Sequence, residues 1–319
     1  MGVLSISLLG KIDINYDGVP LSVCEATKVQ ELFCYLLLHC DRPHPRELVA
    51  SLLWGDYCTT SQSKKYLRKT LWQLNRYLES FPFESGKKLV HVEADWIRLD
   101  SPDSLWLDVA AFEEAYALAK GVQGRDLDHD CAARIERALE LYRGDLLEGW
   151  YLDWCLCERE RLQHHYLSML DKMMGYCEGV RRYESGLAYG ERILSIDRAR
   201  ERTHQRMMRL YYLSENRTEA LRQFERCVNA LKEDFDVGPA RSTIALYEQI
   251  RADSLVDLPE TAHTESDQAE ADSEGLVGSL RRLYASLASL QQQVRHVLTE
   301  AEAALHKPAA HTDQHWVER

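Results

Sequence analysis

The sequence predicts a mainly helical protein with a small β component, arranged in three parts. Three patterns carry that reading. Positions 3–23 hold short runs of alternating apolar residues. From Val109 to about Asp253 apolar residues recur at helical spacing, with an internal repeat. From Leu276 onward they keep an unbroken 4-3 spacing.

The first run places Leu4, Ile6 and Leu8 on one face, followed by Ile12 and Ile14, then Leu21 and Val23. Asp17-Gly18 is a hairpin signal, because both residues tolerate positive φ. A small antiparallel sheet is expected. Residues 27–40 follow as a helix with Val29, Leu32, Phe33, Leu36 and Leu37 as its buried stripe and Thr27 as its cap. Asp41-Arg42-Pro43 ends it. Pro45 suits the first turn of a second helix, which stops at Gly55. Thr59, Thr60 and Ser61 are candidate caps for a third, long helix. A turn at Ser85-Gly86 and two strands, 88–92 and 96–99, complete the series. Sheet, three helices and hairpin, in that order, read as a winged helix-turn-helix.

The third helix, SKKYLRKTLWQLNRYLES over residues 63–80, has two faces. Leu67, Leu71, Leu74 and Leu78 fall on one side at helical spacing. Lys65, Arg68, Lys69, Trp72 and Arg76 fall on the other, with Lys64 beside them. The first face suits a protein core and the second a polyanion. Trp72 either joins the second face or packs against a neighbouring helix. Lys87 and Lys88 begin the hairpin and extend the cationic set.

The formal charge of -12 does not weaken this reading. Residues 1–100 carry 12 Lys+Arg and 12 Asp+Glu, so the deficit belongs to the rest of the chain. Positions 60–88 hold seven basic side chains against Glu79 and Glu84. An acidic remainder would repel DNA and confine contact to that one face.

The helical part contains a degenerate repeat. Leu187 and Leu221 align, as do Glu191-Arg192 and Glu225-Arg226, at an offset of 34 residues, the tetratricopeptide period. Small residues Gly186 and Ala220 stand at matched positions, where repeat helices must approach closely. Residues 132–142, 154–177 and 203–213 can supply the partner helices.

Residues 259–275 carry six acidic side chains and no Lys or Arg, the composition of a disordered, solvated linker. Beyond it, Leu276, Leu280, Leu283, Leu287, Leu290, Val294 and Val297 form a heptad seam. Tyr284 and Leu298 widen its apolar face. A homo-oligomer or a partner helix is expected there, the alternative being a helix that caps the repeat domain. The last dozen residues read as frayed.

Other chemistry is sparse. Cys155 and Cys157 with His164-His165 have metal-ligand types, but two cysteines two apart on a helix face different ways, so no metal is expected. Nine cysteines without a CxxC pair point to reduced thiols in a cytoplasm. No phosphate loop, dinucleotide loop, nucleophile elbow or metalloprotease helix occurs, so neither an enzyme nor a cofactor is expected. Mean hydropathy is -0.40 and no apolar run approaches a membrane span of about 18 residues. The first residues alternate like a strand and lack a basic leader, so no signal peptide is expected.

The strings RELVASLLWG, YLRKTLWQLNRYLES, WIRLD, LWLDVAAFEEA, ALELYRGDLLEGWYLDW and ERERL occur in that order. The series resembles the Streptomyces antibiotic regulatory protein family, with its OmpR-like winged helix and bacterial transcriptional activator domain. The resemblance covers roughly residues 3–253. It implies a transcription activator that binds direct repeats near a promoter and recruits RNA polymerase holoenzyme. It further implies a third helix in the major groove and a wing on the neighbouring backbone. Trp96 stands where the family usually has Tyr, and the terminal coiled coil is not a standard family part.

The expected organisation is therefore a winged-helix DNA-binding domain over residues 1–100 and a repeat-type activator domain over 101–257. An acidic linker over 258–275, a coiled-coil helix over 276–306 and a frayed tail over 307–319 follow. The expected function is a non-enzymatic, sequence-specific regulator in the cytoplasm, associated with the nucleoid. Its partners would be double-stranded promoter DNA and RNA polymerase holoenzyme, with no membrane. The alternative is a scaffold or ligand sensor whose helical groove binds a peptide or small molecule, with DNA contact secondary.

Overall fold

A sheet opens the chain. In the computed structural model, which describes residues 2–55, 58–81, 89–100 and 104–254, β1 (Leu4–Ser7) pairs antiparallel with β2 (Asp13–Tyr16). β2 pairs with the short β3 (Val19–Pro20). Asp17 and Gly18 both take positive φ, 49° and 79°, as the turn between two right-twisted strands requires. Leu4, Ile6 and Ile14 point inward and are fully buried.

The three helices follow as α1 (Thr27–Leu38), α2 (Arg46–Trp54) and α3 (Thr60–Glu79). α1 begins one residue too early for Thr27 to cap it. Ala26 holds that position and offers no side-chain bond. The helix also stops at Leu38, two residues short of the expected end. Pro45 lies ahead of α2 in an extended conformation, because it belongs to β4 (His44–Pro45). β4 pairs with β6 (Trp96–Leu99), which pairs in turn with β5 (Val90–Val92). This three-stranded sheet is the wing's base. Lys87 and Lys88, and the expected turn at Ser85-Gly86, lie outside the described residues.

β7 (Leu105–Leu107) joins the first sheet parallel to β1, giving the order β3-β2-β1-β7. The winged helix and the helical part thus share a sheet. From β7 the chain enters α4 (Asp108–Ala119), α5 (His129–Leu141) and the long α6 (Asp153–Gly179). α7 (Tyr183–Ile196), α8 (Glu201–Leu213), α9 (Arg217–Phe235) and α10 (Arg241–Arg251) pack on one another in succession. Gly186 and Ala220, the matched small residues, are buried in α7 and α9. A Cβ on Gly186 would sit 3.0 Å from Leu210 and 3.2 Å from Cys177, so the helices approach there to the limit of contact.

The join between the two parts is polar and buried. The Asp108 carboxylate, 2 % exposed, accepts from the amides of Leu8 (2.8 and 2.9 Å), Leu9 (2.9 Å) and Val109 (2.7 Å). On the other side, Gly10 N–H donates to Asp145 O, Leu147 N–H to Leu8 O, and Glu148 N–H to Gly10 O. Arg159 of α6 fixes that loop by donating to the carbonyls of Leu146, Leu147 and Trp150. Residues 8–10 are thus gripped from both sides, with every backbone group named here given a partner, as burial demands. Nearby, Tyr35 of α1 packs edge-on against Trp154 of α6 at 5.6 Å. One continuous apolar core runs from Leu4 to Leu210. All nine cysteines are free. Cys155 is buried and Cys157 exposed, as their helical spacing dictates.

The acidic stretch and the heptads, from Leu276 through Leu280, Leu283, Leu287, Leu290 and Val294 to Val297, lie outside the described residues.

Candidate nucleic-acid interface

α3 is made to start where it does. Thr59 Oγ1 accepts from Gln62 N–H at 3.4 Å, while Gln62 Oε1 accepts from Thr59 N–H at 3.1 Å. This reciprocal box satisfies two of the donors that a helix start leaves open. The inner face carries Ser63, Leu67, Thr70, Leu71, Leu74 and Leu78, all buried. At the far end Tyr77 donates its hydroxyl to Ser22 O at 2.9 Å, tying the helix to the segment that follows β3. Burial pushes that hydroxyl up to about 12, so it remains a donor.

The outer face emerges as the helical period requires. Lys65, Arg68, Lys69, Trp72 and Arg76 are all exposed. Trp72 keeps 59 % of its surface in solvent. Its neighbour is Arg76, whose guanidinium lies 5.3 Å from the indole centroid. Lys65, Arg68 and Lys69 make no ion pair among the described residues. Lys64 differs. Its ammonium reaches Glu47 of α2 at 2.5 Å and braces the first turn of α3. Such an exposed pair stabilises by at most about 1 kcal/mol, so Lys64 can still exchange Glu47 for another anion.

The wing supplies a second surface. Along β6, Ile97 and Leu99 are buried while Trp96 and Arg98 point outward, Trp96 being 45 % exposed. Arg46, at the start of α2, donates to Glu93 O at 3.1 Å and Ala94 O at 3.2 Å, holding the β5–β6 turn against the helices. Arg98 joins the candidate set and pairs with Asp100 at 2.7 Å. The alternation in WIRL was the signal for it. Among the described residues no group of three or more His, Cys, Asp or Glu side chains gathers as a metal site.

Comparison with known proteins places this arrangement. Residues 107–251 match the family model of the bacterial transcriptional activator domain. The match begins at the last residue of β7 and ends with α10. The transcriptional regulatory protein MoaR1 of Mycobacterium tuberculosis (strain ATCC 25618 / H37Rv) is 22% identical over 256 residues, covering 78% of this chain and 79% of that protein. Among solved structures, Mycobacterium tuberculosis EmbR in complex with a low affinity phosphopeptide aligns with a TM-score of 0.66 at 19% identity. It covers 88% of this chain and 72% of EmbR, so the fold is shared across both parts. Residues 107–251 thus match a bacterial transcriptional activator domain, and in this chain they follow a winged helix in a fold shared with EmbR.

Proposed function

We propose that this regulator binds promoter DNA through the outer face of α3 and the wing, and that it activates transcription by recruiting RNA polymerase holoenzyme. One observation carries the DNA half of this reading. A helix whose inner face is core holds Lys65, Arg68 and Lys69 in solvent with no acidic partner among the described residues. Cations kept unpaired in a chain of charge -12 suit the dense phosphates of a duplex. Lys64, Trp72 and Arg76 extend that face, and Lys87 and Lys88 would carry it onto the wing. The buried join at Asp108 supports the second half, since a polymerase bound to the helical part would be held in fixed register with the DNA. The protein would act at the nucleoid. No described helix is long and apolar enough to cross a membrane.

Binding to promoter fragments should weaken linearly in log affinity against log salt. Reversing the charge at Lys65, Arg68 and Lys69 together should abolish it without changing the melting temperature. Salt-sensitive binding retained by that variant overturns the assignment of α3. In transcription with purified holoenzyme, the wild-type chain should raise transcript from a bound promoter and the triple variant should not. For the heptad segment we propose self-association, and light scattering on a chain ending at Leu258 should report a smaller assembly. An unchanged assembly mass removes that reading.

A further inference from the structure

The side chains of the α3 face are not equivalent. At about 100° per residue, Lys65, Trp72 and Arg76 lie within about 20° of one line along the helix. Arg68 and Lys69 diverge from that line by about 60° and about 40°, to opposite sides. From Lys65 to Arg76 the helix rises about 16 Å, close to five base-pair steps. A helix seated in a major groove about 12 Å wide turns its central line to the base edges and its flanks to the two phosphate strands.

Arg76 is distinguished again by its surroundings. Its guanidinium lies over the Trp72 indole at 5.3 Å, while Trp72 is 59 % exposed and contributes little to the core. A planar guanidinium resting on a ring is ordered before it binds, so less freedom is lost when its fork engages two acceptors. Bidentate contact with guanine O6 and N7 needs that fixed fork. Phosphate contact does not, and mobile side chains such as Lys69 serve it well.

We infer that Arg76 reads a guanine in the major groove, that Trp72 is its positioning residue, and that Arg68 and Lys69 hold the phosphates on either side. This rests on the DNA-binding reading above. It divides one surface into a specificity element and an affinity element.

The test uses the full chain and a duplex selected by it from a randomised library. Each base pair is then replaced in turn and affinity is measured across a salt series. Arg76→Lys should lose discrimination at one G·C pair by about tenfold or more, with the salt slope kept. Trp72→Leu should lose discrimination at the same pair with an unchanged melting temperature, and Trp72→Phe should recover part of it. Lys69→Gln should weaken all duplexes alike and lower the slope by about one. Full discrimination in Arg76→Lys, or a loss in Trp72→Leu at a different pair, overturns the assignment. Failure of the wild-type chain to select any duplex would instead sink the DNA-binding reading itself.

Discussion

Replacing Asp108 by Ala removes the acceptor of three buried amides, those of Leu8, Leu9 and Val109. Each buried N–H left without a partner costs about 1–3 kcal/mol. The sum is an upper bound, because water can enter the vacated space and satisfy part of the set. A loss of about 3–5 kcal/mol is expected, a large share of the roughly 5–15 kcal/mol that holds a typical domain together. Asp108→Asn keeps one acceptor oxygen but turns an amide N–H2 toward a donor, so it should lose about 1–3 kcal/mol. Urea unfolding followed by circular dichroism measures both. Native-state hydrogen exchange should show the Leu8 and Leu9 amides losing protection in Asp108→Ala, before the buried stripe of α3 does. A midpoint equal to wild type, or unaltered protection at Leu8 and Leu9, refutes the reasoning, since it would mean those amides do not depend on this carboxylate.

Three further outcomes are expected. Thr59→Ala should destabilise the start of α3 by about 1 kcal/mol and raise amide exchange at Gln62, and an unchanged melting temperature would contradict the capping role. Gly124→Ala should cost about 1–3 kcal/mol in urea unfolding, because its Cβ would press into the Lys172 carbonyl oxygen of α6, which cannot swing aside like a side chain. His204 is buried, with Nε2 against Arg198 O at 2.9 Å and Nδ1 against Gln223 Nε2 at 2.8 Å, and burial holds its pKa below the usual histidine value. The unfolded chain therefore takes up the proton first, so the stability due to neutral His204 is complete above about pH 6.5 and is lost as pH falls below it. His204→Gln should flatten that part of the urea-midpoint profile, and an equal acid slope in both proteins would exclude His204 as its cause.

Much of the candidate surface was legible in the residues alone. Leu67, Leu71, Leu74 and Leu78 against Lys65, Arg68, Lys69 and Arg76 define two faces of one helix, and both period and polarity are local properties of the chain. Asp17-Gly18 announced its turn for the same reason, since the demand for positive φ is met within two residues. Other features were not legible because their cause lies far away in sequence. β4 and β7 are two and three residues long and exist only through their partners β6 and β1. Lys64 and Lys65 are adjacent and chemically alike, yet only Lys64 meets Glu47, across from another helix.

The string RGDLLEGW shows the same division. The sequence by itself determined the helical class, the two-faced α3 and the ordered motifs that carry the family resemblance, because each depends on spacing within a few turns of chain. Only the tertiary structure decided what several of those motif residues are for. Asp108 lies in the string LWLDVAAFEEA, and Asp145 to Glu148 lie in RGDLLEGW. Folding brings both against residues 8–10, about 100 and about 140 positions away in sequence. There the burial of backbone amides and carbonyls makes a partner obligatory, and that requirement joins the winged-helix part of the chain to the helical part behind it.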